Sequence, residues 1–324
     1  MAKQKKPKKP PMEKFTIARF DAMFPNDDTC LEWLKNHLYP DGIHCKKCCK
    51  VTKHHRVASR PSYSCDQCGN HVHPTADTIY HKSPTPLRLW FYAVYLMAST
   101  RCGISAKQIQ RETGVTYKTA WRMFKQIRSM LADDDGGDPL SGKVEADETF
   151  VGGKAKNMHQ KKREEKIQGR GTVGKTVVAG VVEREGRVIA KKVEDTRAAT
   201  LLPFVKERVL PASTVYTDEA AAYEGLPGHG YLHHRVHHAS KVYVIGDAHT
   251  NTIEGFWSLV KNGLRGVYHA VSDKYLQTYL DEFSFRYNRR NDVRPMFLSF
   301  LAQVQKAPAE SSDLPSSEPL QTPA

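Results

Sequence analysis

The chain has 324 residues, 40% of them hydrophobic, and a formal net charge of +14. That size and apolar content suffice for about two or three packed domains and exclude a wholly disordered chain. The surplus of positive charge points to a partner dense in negative charge, nucleic acid first. A membrane location is not expected, because the longest apolar run, Leu87 to Ala98, is broken by Arg88 and is too short to span a bilayer. Met1 to Lys14 carries lysines but none of the apolar stretch of a secretory signal, so a cytoplasmic protein is expected.

The lysine- and proline-rich head (1–14) and the Pro/Ser/Glu-rich tail (306–324) bury too little apolar surface to order themselves. Between them the composition changes three times. A cysteine-containing module covers 15–80, a helical module 81–132 and a mixed α/β domain 143–305, with an acidic, glycine-bearing linker at 133–142.

In the first module Cys45-x2-Cys48 and Cys65-x2-Cys68 are separated by 16 residues. Two such knuckles close four thiolates around one Zn2+, the pattern of a zinc ribbon. Cys49 competes with Cys48, but only Cys48 keeps the two-residue spacing. Cys30 and Cys102 have no partner in the pattern and are expected to be buried as small hydrophobes. His44, His54, His55, His71 and His73 are read as solvated, and Lys46, Lys47, Lys50 and Lys53 suit a ribbon that lies against phosphates.

Thr85-Pro86 opens an apolar, buried helix over Leu87 to Thr100. Next come a short helix over Ser105 to Thr113, a turn at Gly114 and a longer helix from a Thr116 cap to about Leu131, which is helix-turn-helix spacing. Ala120, Phe124, Ile127 and Leu131 form a packing stripe, and Lys118, Arg122, Lys125 and Ser129 form a polar one. Tyr117, Lys118, Arg122 and Lys125 are the expected DNA contacts; a helical hairpin with a solvated basic face is the alternative.

In the third module KVEADETFV (143–151) alternates as a strand, and Glu145, Asp147 and Glu148 all compete for a metal-ligand role. Strands are predicted at Lys175 to Glu183 and Arg187 to Glu194, then a helix over Ala198 to Val209 and a short strand Ser213 to Thr217 that delivers Asp218. If the first and fourth strands pair, their acids lie side by side. A helix over Asn251 to Leu264 places Asn251, Glu254, Ser258 and Lys261 on one face and Ile253, Phe256, Val260 and Leu264 on another. Acids from separate segments, with a lysine seven residues past the last, suit two-metal phosphoryl transfer.

The segments VEADETFVGG, VYTDEAAAY and HTNTIEGFWSLVKNGLRGVYH, behind a cysteine ribbon and a helix-turn-helix, resemble insertion-sequence transposases of the IS1595 group with an ISXO2-like catalytic domain. The resemblance covers Phe15 to Val304. It implies an RNase H-like fold and a DDE acid triad, here Asp147, Asp218 and Glu254, holding Mg2+ or Mn2+. It also implies a helper lysine, Lys261, and double-stranded DNA partners: terminal inverted repeats and a target, bound by a homodimer or larger assembly in a prokaryotic cytoplasm. Asn251, one turn before Glu254, is a second candidate for the third position, though a carboxylate holds Mg2+ better than an amide does. A non-catalytic DNA-binding regulator and a structure-selective nuclease of the same fold are the alternatives.

Lys154 to Lys175 is read as a basic loop over DNA or a merely solvated one. Its Gly169-x-Gly171-x-x-Gly174 has no preceding strand and is not a dinucleotide fingerprint. His229, His233, His234, His237 and His238 keep no fixed ligand spacing and are read as loop histidines near phosphates.

Overall fold

Short capped helices and two small antiparallel sheets form from the first hundred residues. Helix α1 (Ile17–Met23) begins where Thr16 Oγ1 accepts from the Arg19 N–H, and α2 (Asp27–Leu38) where Asn26 Oδ1 accepts from the Thr29 N–H. A β1 (His44–Cys45) and β2 (Lys50–Val51) pair follows, then a three-stranded sheet of β3 (His54–Val57), β4 (Ser62–Cys65) and β5 (His71–Val72). Helix α3 (Leu87–Ser99) comes next. In this computed structural model the described residues are 13–132, 137–153, 159–160, 174–236 and 249–306. Most of the Lys154 to Lys175 stretch, His237, His238, residues 1–12 and the tail beyond 306 lie outside them.

Packing divides the chain within α3. Phe15–Tyr95 and the residues from Phe297 form one unit, and Leu96–Met296 the other. These limits differ from the boundaries expected at 80 and 132. The first unit takes in the C-terminal helix Met296–Leu301, because Phe297 packs against the rings of Phe15, Phe20, Phe24 and Tyr95 at centroid distances of 4.7, 5.7, 6.0 and 5.8 Å. Cys30 is buried there as expected, whereas Cys102, in the second unit, is exposed and the expectation of burial fails for it. It follows α3 in an exposed bend, Arg101 and Cys102, where no apolar spacing turns it inward.

The second unit begins with α4 (Ala106–Thr113), capped by Ser105 and closed by Gly114 at φ +71°, and α5 (Tyr117–Ser129), capped by Thr116. Ala120, Phe124, Ile127 and Leu131 are buried and Lys118, Arg122, Lys125 and Ser129 exposed. Arg128 breaks the pattern: it lies in the packing stripe at 1% exposure. Its Nε donates at 2.6 Å to Glu282 on α8 (Asp273–Asn288), and its guanidinium lies 3.6 Å from the ring centroids of both Phe124 and Tyr279. Arg286 donates to the other Glu282 oxygen at 2.6 Å. Burial alone pushes the Glu282 carboxyl up, but the two guanidiniums outweigh it and hold the group below its ordinary value. This triad ties the helix pair to the sheet domain, from which the linker was expected to separate it.

A five-stranded sheet carries the rest of this unit. Strands β6 (Lys143–Val151), β7 (Thr176–Glu183) and β8 (Val188–Val193) form an antiparallel meander. After α6 (Ala198–Arg208), β9 (Thr214–Thr217) pairs parallel to β6, so the first and fourth strands do adjoin, and β10 (Leu232–Arg235) adds in parallel to β9. Val144 and Ala146 of β6 bury on one face with Leu201 and Val205 of α6. Helix α7 (Asn251–Gly263) covers the other face and continues as a π-helical turn, Leu264–Tyr268. Helix α8 closes the β8 edge with side-chain amides: Gln277 bonds Lys192 N–H and Ala190 C=O, and Asn288 bonds Val188 N–H and C=O.

Glu282→Gln leaves two buried guanidiniums short of a charge and should cost about 3–5 kcal/mol in urea unfolding. Joint replacement Arg128→Met and Glu282→Leu should recover much of that loss, because a well-packed apolar pair leaves no buried charge unpaired.

Candidate functional site

The site is built on β6, whose alternation sends neighbouring acids to opposite faces. Glu145 is fully buried and turns toward α7. Its Oε2 accepts from the backbone N–H groups of Thr252 and Ile253 at 2.8 and 3.0 Å, and its Oε1 from Thr252 Oγ1 at 2.9 Å and Arg184 Nε at 2.8 Å. The N-terminus of α7 has no side-chain cap of its own from Thr250. A carboxylate 107 residues earlier supplies it, meeting both the orphan N–H groups and the positive end of the helix dipole. Arg184 is itself held by the His249 carbonyl at 2.6 Å and by the face of Tyr216. Of the three acids competing on this strand, Glu145 is therefore occupied by structure.

Asp147, two residues on, faces the same way and receives a hydrogen bond from Trp257 Nε1 of α7 at 3.0 Å. The indole fits because Asp147 is paired across the sheet with Gly180, where a Cβ would lie 2.6 Å from the Trp257 ring. Burial first, then the charges of Glu148 and Asp218, push the Asp147 carboxyl up to about 7, against the opposing pull of the Trp257 bond. Glu148 points to the other face, accepts from Tyr223 Oη at 2.8 Å and is also raised, chiefly by burial.

Asp218 follows β9. The β6–β9 register ends with Glu145 opposite Tyr216, so Asp147 and Asp218 each lie two residues past the last pair. One Asp218 oxygen accepts from the Ala220 N–H at 2.9 Å. Glu254 on α7 accepts from Thr250 Oγ1 at 2.9 Å. Asp147, Glu148, Glu254, Trp257, Lys261 and Arg265 line one open cleft. Asn251 is exposed and does not line it. Asp147, Asp218 and Glu254 are not drawn within 4.8 Å of one another. Among the described residues the one His, Cys, Asp or Glu group closed that tightly is Cys45, Cys48, Cys65 and Cys68.

In that cluster Cys45 Sγ lies 3.5 Å from Cys68 Sγ, and Cys48 Sγ 3.9 Å from Cys65 Sγ. Zn–S bonds of about 2.3 Å in a tetrahedron separate sulfurs by about 3.8 Å, so this donor set can hold Zn2+. Cys49 is exposed and turns its sulfur to the Lys46 carbonyl instead. Burial and then the charges of Glu148 and Asp218 raise Asp147, and a divalent cation bound beside it would offset the charge part of that shift.

Residues 139–288 match the family model of the ISXO2-like transposase domain. An uncharacterized protein of transposable element ISH50 from Halobacterium salinarum is 32% identical over 261 residues, 76% of this chain and 85% of that protein. The chain belongs to the ISXO2-like transposase family. An uncharacterized transposase-like protein from Haemophilus influenzae is 29% identical over 120 residues, 37% of this chain and 94% of that one. A chain of the Mos1 strand transfer complex aligns over 65% of this chain and 77% of its own at 12% identity, with a TM-score of 0.22, too loose to bear on the fold. Among the described residues no helix is long and apolar enough to cross a membrane.

Sequence reasoning passed over Trp257, Gly180, Arg184 and Tyr223. Trp257 sits inside the apolar stripe of α7, and its approach to Asp147 depends on a glycine 77 residues earlier, which no local pattern signals.

Glu145→Gln should cost about 3 kcal/mol or more in chemical unfolding, since Arg184 loses its buried partner, and amide exchange should rise first at the start of α7. Asp147 has a folded-state pKa above that of the unfolded chain, so its charge disfavours the fold increasingly as pH rises from about 4 to about 7. Asp147→Asn should therefore melt higher than wild type at pH 8 without metal and lose that advantage by pH 4. Mg2+ should raise the melting temperature of wild type at pH 8 but not that of the variant.

Proposed function

We propose that this protein is a DDE transposase of an insertion sequence, with Asp147, Asp218 and Glu254 as metal ligands on an RNase H-like domain. The observation that carries the reading is the strand pairing: β6 and β9 adjoin, and the Asp218 charge acts on Asp147 while Glu254 and Lys261 share a cleft with it. Mg2+ or Mn2+ bound there would acidify an attacking hydroxyl and neutralise the leaving oxygen of a phosphodiester. Trp257 fixes one Asp147 oxygen and leaves the other for a ligand role. Lys261 orients a phosphate in the cleft as a point charge. Hydrolysis at an element end releases a 3′-hydroxyl, which then attacks a target phosphodiester, so no covalent protein intermediate is needed.

The α4–α5 pair is the DNA-reading unit in this proposal, with Tyr117, Lys118, Arg122 and Lys125 on the exposed side of the second helix. The cysteine cluster holds Zn2+ as a structural ribbon beside the terminal inverted repeats. Synapsis of two ends calls for a dimer or larger assembly.

The test is an Mg2+-dependent reaction of the purified protein with DNA carrying the ends that flank its gene. Wild type should cut at the ends and join them to a target, while Asp147→Asn and Glu254→Gln retain end binding and lose at least about 100-fold in rate. Binding without cutting by wild type would favour the regulator, and cutting without joining the nuclease.

A further inference from the structure

The acid cleft does not end at Lys261. A second, smaller pocket adjoins it, lined by Lys261, Arg265 and His269 on one side and by Gly152 and Gly153, at the end of β6, on the other. Lys261 and Arg265 line both clefts. The three side chains follow at four-residue steps through the end of α7 and its π-helical turn, so the row leads away from the carboxylates. Such π turns recur at functional sites. None of the three side chains makes a hydrogen bond or ion pair among the described residues. That sets them apart from Arg128, Arg184 and Arg286 of the same unit, each of which is largely out of solvent and paired with a carboxylate.

We infer that this pocket is a subsite for a DNA backbone phosphate adjacent to the one being cut, with Arg265 as its principal contact. The inference rests on the transposase reading and extends it to residues outside the acid set and its lysine. Lys261 and Arg265 are one helical turn apart, about 6 Å of rise, so they can serve successive phosphates of one strand rather than the same one. A guanidinium grips a phosphate through two parallel N–H···O bonds, which positions the strand as well as attracting it. One wall is backbone: among the described residues a Cβ at Gly153 would meet nothing within 4 Å, whereas one at Gly152 would lie 3.1 Å from Lys175, so the strand approaches the backbone at Gly153. His269, at φ +59°, closes the far end of the row. Arg265 holds the DNA strand in register while Asp147, Asp218 and Glu254 act on the neighbouring phosphodiester.

The test is a methylphosphonate scan, in which each phosphate near the end of the flanking DNA is replaced in turn by a neutral analogue and bound to full-length protein without divalent metal. One position should weaken wild-type binding about tenfold, and Arg265→Ala should bind unmodified DNA weaker by a similar factor. That position should then be silent in Arg265→Ala, and the slope of log affinity against log salt should fall by about one. Arg265→Gln, which keeps a polar side chain but removes the charge, should behave alike; equal melting temperatures exclude a folding defect. If every phosphate costs the variants as much as wild type, or the variants bind unmodified DNA as tightly, the subsite does not exist. Binding is read apart from cutting, so a silent position in a protein that never cuts would overturn the catalytic reading and leave the subsite standing.

Discussion

The buried Glu145 carboxylate is the contact on which the cleft depends. It joins the first strand of the sheet to the first turn of α7, and through that helix it sets where Trp257, Glu254 and Lys261 stand above Asp147. A helix start without its own cap is a poor anchor in water, because four N–H groups go unmet. Here a strand carboxylate meets two of them, and Arg184 balances the charge that would otherwise be costly to bury. Gly180 completes the seat by leaving the space that the Trp257 indole fills. The helix is thereby fixed in position along the strand and in distance from the sheet, the two coordinates on which a site shared between them depends.

The same device recurs elsewhere in the unit. Arg128, Glu282 and Arg286 lock α5 against α8 as Glu145 and Arg184 lock α7 against β6. In both, the charged groups fix one geometry because their hydrogen bonds are directional. The helix pair and the sheet domain consequently share one packed unit, even though an acidic stretch lies between them in sequence.

Much of this was legible before the structure. Period-two alternation located β6 and strand-like runs located β7 to β9, all within about a residue at their ends, and the period of α7 separated Glu254 and Lys261 from the buried Ile253, Phe256 and Val260. The cysteine pairs needed only their spacing. What escaped was of two kinds. Residues whose partners are distant in the chain carry no local mark: Glu145 read as one of three equivalent acids, and Arg128 interrupts an apolar stripe for the sake of a glutamate 154 residues away. Elements of mixed composition escaped as well. β10 is a Leu-His-His-Arg run that its neighbour β9 recruits, and α8 mixes buried acids with aromatics so that its period is obscured. Domain limits drawn from composition missed the return of Phe297 to the N-terminal aromatic cluster for the same reason.

The central claim is that Asp147, Asp218 and Glu254 together hold the metal that acts on DNA. Anomalous scattering from crystals grown with Mn2+ and uncleaved end DNA tests it most directly. The account requires manganese peaks bonded to oxygens of all three carboxylates, with Glu145 still on the α7 N-terminus. Peaks held by Glu145 or Asn251 in place of one of these acids, or none between β6, β9 and α7, would contradict it.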